Sequence, residues 1–338
     1  MKNLKRILLS TLLYTALIGL LWWALRSVPL TDIWVVLKQL RFWQIGILLA
    51  LNVLVILAMT ARWWLIVRAE KPNAPFWLLV GYRLSAFGLS YFTPGPQVGG
   101  EPWQVIALQK NHAISYARAT AAVIMDKLIE FLVNFLLLAV GAWAILRVEL
   151  IPYNGSNPLV SLIVPGVVLI WPLVHIVLMY HHILPLSLVL RALPFPLKRS
   201  RPMRLLFASE RLAANFCQRH LGALLGAAGV SLLAVLGIVV EYALMVSFLG
   251  MRLTAWQTLA ALTALQLAFL MPLPGGLGAM EASQVFALGF FGQPASAAIG
   301  LTLLQRARDL LNGGLGLLLA GRGFAGRPLQ MLQGRGEE

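Results

Sequence analysis

The chain has 338 residues, 59% of them hydrophobic and only 12% charged, with a formal net charge of +15. Soluble domains carry about 25% charged residues, so this composition excludes a water-soluble globular protein. Cys217 is the single cysteine, which excludes an internal disulfide and a cysteine metal cluster.

Stretches free of Asp, Glu, Lys and Arg fall at 7–25, 42–61, 150–190, 220–240, 253–280 and 282–305. A membrane-spanning helix needs roughly 20 apolar residues. The pattern predicts an all-α, polytopic integral membrane protein: a single membrane domain over 1–338 with about six full transmembrane helices. The first, 7–25, follows Lys2, Lys5 and Arg6. It ends at Trp22 and Trp23, where signal cleavage would need small residues, so it reads as an anchor that stays. A short interfacial amphipathic helix is expected at 30–41 and the next membrane helix at 43–61. A hydrophobic unit at 76–111 is broken at "TPGPQVGG". A helix at 116–147, a polar loop at 149–158 and a helix at 159–180 follow.

A basic, proline-punctuated connector covers 181–219. Its stretch "KRSRPMRLLFASERLAANFCQR" reads as a cytoplasmic surface helix whose basic face could adsorb to anionic lipid; a solvated charged loop fits the same residues. A helix at 221–248 leads to a second broken unit, 254–292, interrupted at "PLPGGLG". A helix at 296–321 and a short polar tail complete the chain.

If both broken units return to their own side, eighteen Lys and Arg residues gather on one side of the membrane. Only Arg26, Lys38, Arg41, Arg147 and Arg252 lie on the other. Excess Lys and Arg mark the cytoplasm, so both termini are expected there, in a bacterial inner membrane. Most of the positive charge is thus a topology signal, which argues against a nucleic-acid partner. Arg83, Lys127, Arg306 and Arg308 remain, inside hydrophobic segments.

The two broken units match at an offset of 180 residues. Pro94 pairs with Pro274, Gly95 with Gly275, Glu101 with Glu281, Gln104 with Gln284 and Val105 with Val285. With one deletion, Lys127 and Glu130 correspond to Arg306 and Asp309; both pairs are spaced to share a helical face. The expected halves are about 7–147 and 159–321. Each crosses the membrane an odd number of times, so the second would be inverted. Inverted repeats with glycine- and proline-broken helices at matched positions mark a transport site near the midplane.

Unpaired backbone is tolerated at membrane depth only when buried in protein or lining a wet cavity. The breaks, with Gly99, Gly100, Gly275 and Gly276, therefore point to a polar interior. A helix start after each break presents N–H groups suited to an anion. Glu101 and Glu281 sit in those first turns, where they can cap the helix, pair with a basic neighbour, or meet a proton or substrate. Intramembrane ionisable residues are costly, roughly 2.5–3.5 kcal/mol on insertion scales, and functional by default. Lys127, Arg306 and Arg308 are candidates for phosphate contact, with Gln104 and Gln284 beside the first two. Asp126, Glu130, Arg308 and Asp309 form a charge network that can equally serve to hold the bundle together. Arg83 and Glu241 rank below these, each close to a membrane boundary. The histidines, carboxylates and glycines form no metal, nucleotide or nucleophile motif, so no cofactor and no metal are expected.

"YFTPGPQVGGEPWQVIALQKNHAISYARATAAVIMDKLIEF" and "LMPLPGGLGAMEASQVFALGFFG…LLQRARDLL" resemble the two signatures of the lysylphosphatidylglycerol synthase transmembrane-region family. The similarity spans about 5–321. The resemblance implies a flippase-like protein that moves a phospholipid or lipid-linked substrate across a bacterial membrane. The soluble aminoacyl-transferase domain of the multiple peptide resistance factor is not found, so synthesis of lysyl-lipid is not expected. Where the family often has arginine after the first signature's aspartate, Lys127 follows Asp126, which weakens a bidentate phosphate contact. The alternatives are a polytopic membrane enzyme, or an accessory subunit working with a lipid-modifying or glycosyltransferase partner. If protons drive transport, Glu101 and Glu281 are the expected carriers.

Overall fold

The computed structural model describes residues 38, 40–92, 99–112, 114–150, 158–192, 201–270 and 278–325. The helix expected at 7–25, most of the one expected at 30–41, most of each glycine–proline break, most of the 149–158 loop and most of the polar tail lie outside them. The described residues form eleven α-helices: α1 (Phe42–Glu70), α2 (Phe76–Phe92), α3 (Glu101–His112), α4 (Tyr116–Arg147), α5 (Pro158–Tyr180), α6 (Pro185–Ala192), α7 (Arg201–Arg219), α8 (Leu221–Phe248), α9 (Ala255–Phe269), α10 (Ala279–Phe290) and α11 (Ala295–Ala325). The protein is an all-α polytopic membrane protein. Among the described residues, α1, α4 and α8 are long and apolar enough to cross a membrane. Leu54, Leu225, Leu233, Leu236 and Leu318 are each more than half exposed, as a lipid-covered surface requires.

Local signals set the helix starts. Ser115 Oγ accepts the Arg118 N–H at 3.4 Å at the head of α4. At the head of α9, Thr254 Oγ1 accepts the Gln257 N–H and Gln257 Oε1 accepts the Thr254 N–H, at 3.3 and 2.9 Å; this reciprocal capping satisfies two orphan donors. One boundary differs from expectation. The helix expected at 43–61 runs on to Glu70, because no proline or glycine follows Ala61 to stop it. The extension takes Arg62 out of the aqueous loop expected for it and buries it at 1% exposure.

In each broken unit two short helices pack on each other, α2 on α3 and α9 on α10. At about 1.5 Å rise per residue, the 17 residues of α2 and 15 of α9 fall short of a bilayer core of about 30 Å. The first unit folds back on itself. Gly100 N–H donates to Ser90 Oγ at 2.8 Å, and Asn111 Nδ2 donates to Tyr82 OH at 2.9 Å. The Lys71 ammonium donates to the His112 carbonyl, so the two ends of the unit meet. A Cβ at residue 100 would collide with the Ala86 backbone, which is why the return needs glycine there.

Between the two broken units the packing is exchanged. α2 lies against α11, α9 lies against α4, and α1 packs on α8. The α2–α11 crossing is close because Gly88, Gly313 and Gly316 sit in it. A Cβ on Gly88 would stand 2.6 Å from the Gly313 carbonyl oxygen, and one on Gly316 would strike the Leu84 carbonyl. Small residues give membrane helices this kind of backbone approach.

The basic connector holds two helices. α7 is the surface helix expected at 198–219, but one face of it is buried. Ala213, Ala214, Phe216 and Cys217 join the core, with Cys217 Sγ 3.8 Å from Met125 Sδ of α4. Glu210 of α7 accepts the Leu186 and Ser187 N–H groups, both at 2.7 Å. It thereby fixes the start of α6.

Candidate functional site

α4 carries the first set of charges. Asp126 and Glu130 lie one turn apart on its inner face. Arg62 reaches them from α1: Nε donates to Asp126 Oδ1 at 2.6 Å and Nη2 to Glu130 Oε2 at 2.5 Å. Arg62 Nη1 donates to Ser231 Oγ of α8 at 3.1 Å. Arg83 of α2 binds the same two carboxylates at 3.0 and 3.2 Å. Lys127 donates to Glu130 at 3.0 Å and pairs with Glu101 Oε1 at 3.2 Å. Glu101 Oε2 accepts the Gly99 N–H at 2.9 Å, just ahead of α3. Glu101 thus both caps its helix start and pairs with its basic neighbour.

The second set stands on α11. Arg306 donates to Glu281 twice, Nε to Oε1 at 2.5 Å and Nη2 to Oε2 at 2.9 Å. Glu281 Oε2 also accepts the Gly278 N–H at 2.9 Å, ahead of α10. Arg308 Nη1 donates to Glu241 Oε2 of α8 at 2.9 Å, and Nε and Nη2 donate to Asp309 Oδ1 at 2.9 and 2.8 Å. The matched glutamates Glu101 and Glu281 each form an ion pair with one of the matched cations, Lys127 and Arg306.

Some expectations change. Arg306 pairs with Glu281, although its helical spacing suggested Asp309, which accepts from the adjacent Arg308. Glu241, placed near a membrane boundary from the sequence, is 1% exposed. Gln284 is a packing link: its Oε1 accepts the Tyr242 hydroxyl at 2.5 Å and its Nε2 donates to the Ala261 carbonyl at 3.0 Å. Gln104 is buried, and its Oε1 has no partner among the described residues. Gly275 and Gly276 lie outside the described residues. Arg62 was missed, because it was counted with the loop after Ala61. A signal for it existed. Arg62 and Glu241 stand at the one-residue-shortened offset that relates Lys127 to Arg306, with their signs reversed.

Two hollows adjoin these charges. A groove of about 540 Å³ is lined by Glu101 and Lys127 at its polar end and by Val105, Ile106, Ile124 and Phe131 along its wall. Leu206 of α7 borders it. Tyr116 and Phe131 bring the groove to the outer surface of the bundle, where both are more than a third exposed. A second, smaller cavity of about 170 Å³ lies between α1, α2, α8 and α11. Asn52, Arg83, Glu241, Arg308, Asp309 and Asn312 supply its polar lining. Among the described residues no cluster of three His, Cys, Asp or Glu could hold a metal ion. The arrangement offers fixed charges, hydrogen-bond donors and an apolar wall, a set suited to holding an amphiphile.

A family model described as the lysylphosphatidylglycerol synthase TM region matches residues 6–316. The chain belongs to this family. Every ion pair described above, from Arg62 to Asp309, lies inside the matched span. Membership in the family agrees with the membrane architecture and ties the chain to membrane-lipid function. No curated protein and no solved structure matches it.

Proposed function

We propose that this protein is a flippase-like translocase for a phospholipid or a lipid-linked substrate in a bacterial inner membrane. The groove ending at Glu101 and Lys127 carries the reading. Its wall is apolar and reaches the lipid-facing surface, while its inner end is an ion pair. An amphiphile can lay its chains along Val105, Ile106 and Phe131 and place a phosphate on Lys127. Lys127 retains Glu130 when Glu101 lets go, so the pair can open at modest cost. Arg83 borders both the first set of charges and the smaller cavity. It thus offers a next contact for a headgroup moving inward.

The exchanged packing of α2 on α11 and α9 on α4 supports two related halves, with each broken unit acting as a re-entrant hairpin. An inverted relation between the halves would present the same groove chemistry to either leaflet. Moving Arg62 into the bundle still leaves seventeen basic residues against five, which favours cytoplasmic termini. A lipid-modifying or glycosyltransferase enzyme is the expected partner, making or consuming the transported lipid.

Reconstitution tests the proposal. Purified protein in liposomes should accelerate transbilayer movement of labelled phosphatidylglycerol, phosphatidylethanolamine or a polyprenyl-phosphate lipid, and Lys127→Ala should slow it. Movement at the protein-free rate across that panel overturns the reading.

A further inference from the structure

The ion pairs on α1, α2, α3, α4, α8, α10 and α11 join six carboxylates to five cations. The carboxylates are Glu101, Asp126, Glu130, Glu241, Glu281 and Asp309, and the cations are Arg62, Arg83, Lys127, Arg306 and Arg308. Around α4 the charges balance, three against three. Around α11, among the described residues, they do not: Glu241, Glu281 and Asp309 pair with Arg306 and Arg308. An uncompensated carboxylate in a low-dielectric interior is strongly disfavoured and neutralises by taking up a proton.

Glu241 is where the excess resides. Glu281 has both oxygens on Arg306 and one also on the Gly278 N–H. Asp309 receives two guanidinium hydrogen bonds on one oxygen. Glu241 receives one, on Oε2, while its buried Oε1 has no partner among the described residues. That residue also lines the cavity of about 170 Å³, so a path for proton exchange adjoins it.

We propose that Glu241 is a membrane-embedded proton-binding site, neutral when it holds a proton on Oε1 and anionic when the proton leaves into the cavity. The charged groups facing it are Arg308 and Asp309 from α11 and Arg83 from α2; α1 contributes the neutral Asn52. Arg62 of α1 faces Ser231, about three turns away along α8. The side of α8 toward α4 meets Val133 and Leu137 through Val235, and α9 carries no charged residue. The two guanidinium groups on the cavity disfavour a metal cation there, whereas a proton adds no ligand demand. Glu101 and Glu281, the carriers expected from sequence, already hold a cation and a backbone N–H each.

The site does not depend on what the protein transports. Infrared difference spectra of the full chain in lipid nanodiscs, stepped in pH, read it directly. The wild type should show a carboxylic-acid C=O band that disappears as pH rises, persists in Glu101→Gln and Glu281→Gln, and is absent in Glu241→Gln. Should Glu241→Gln fail to fold, Glu241→Asp should shift the band. A wild type without the band, a band that survives Glu241→Gln, or one that Glu241→Asp leaves unshifted overturns the proposal. So does a band abolished by exchanging potassium for sodium, which would make the occupant a metal cation. A normal band in a protein that moves no lipid would uphold the proton site and remove the transport reading.

Discussion

Glu101 and Glu281 occupy matching places after their breaks, yet the ion pairs they make differ in their surroundings. Lys127 has a side chain 28% exposed and shares two carboxylates, Glu101 and Glu130. The Arg306 side chain is 2% exposed and grips both oxygens of Glu281. Behind them the polarity of the bundle inverts. Here α1 supplies the cation Arg62 to carboxylates on α4, whereas α8 supplies the carboxylate Glu241 to Arg308 on α11. Matching sequence positions thus carry charges, while the neighbours decide whether a pair is adjustable or locked. The balanced, relayed set beside the large groove suits a headgroup that comes and goes. The unbalanced set suits a proton.

The sharpest way to break this comparison is at the guanidinium groups behind each pair. Arg62→Met would leave Asp126 and Glu130 buried, with Arg83 as their one remaining partner from outside α4. Breaking a buried pair costs about 3–5 kcal/mol, and unfolding in detergent should show a loss of that size. Arg308→Met should cost less, because a protonated Glu241 leaves only Asp309 charged. Equal losses would count against the asymmetry.

The matched glutamates come next. Glu281→Gln removes a bidentate carboxylate from Arg306, which falls back on the Tyr91 hydroxyl. Hydrogen bonds to charged groups are worth about 1.5–3 kcal/mol, and thermal unfolding should register a loss in that range. Glu101→Gln should cost under about 1 kcal/mol, since Lys127 keeps Glu130. The two exchanged helix crossings are both close. Gly316→Ala would press a methyl group onto the Leu84 backbone, and Gly141→Ala would press one onto Thr263, whose Cβ would stand 2.8 Å away and does not move when the side chain turns. Overpacking costs about 1–3 kcal/mol; both should reach it, Gly316→Ala the more, since its obstacle is backbone.

Much of this was legible in the chain, for identifiable reasons. Membrane helices announce themselves by length and apolarity, so α4, α5 and α8 fall within a residue or so of expectation. The match of Glu101 to Glu281 and of Lys127 to Arg306 was legible in the sequence, but that each glutamate pairs with the basic residue of the following helix emerged only in space. Arg62 did not emerge, because an arginine at the end of an apolar run looks the same whether the helix stops or continues. Only its partners on α4 and α8, distant in sequence, decide that. The cavity beside Glu241 was hidden for the same reason. It is made by four helices whose mutual packing no local pattern encodes.

The smallest contrast lies in the two matched glutamines, and it tests whether like residues do like work. Gln284 accepts the buried Tyr242 hydroxyl and donates to the Ala261 carbonyl. Gln284→Leu would strand both, at about 1–3 kcal/mol for a buried group left without its partner. Gln104 occupies the matching place on α3, but its buried Oε1 accepts nothing from the described residues. Residue 63 stands to Gln104 as Tyr242 stands to Gln284, and it is Trp63, whose buried Nε1 is also without a partner among them. Gln104→Leu removes an unsatisfied oxygen at nearly constant volume, so stability should stay within about 0.5 kcal/mol or rise. Equal losses at the two positions, read from thermal unfolding in one detergent, would mean that Gln104 has a partner in the membrane. A lipid headgroup entering from the groove would then be the first to test, by repeating the Gln104→Leu measurement in nanodiscs of differing headgroup.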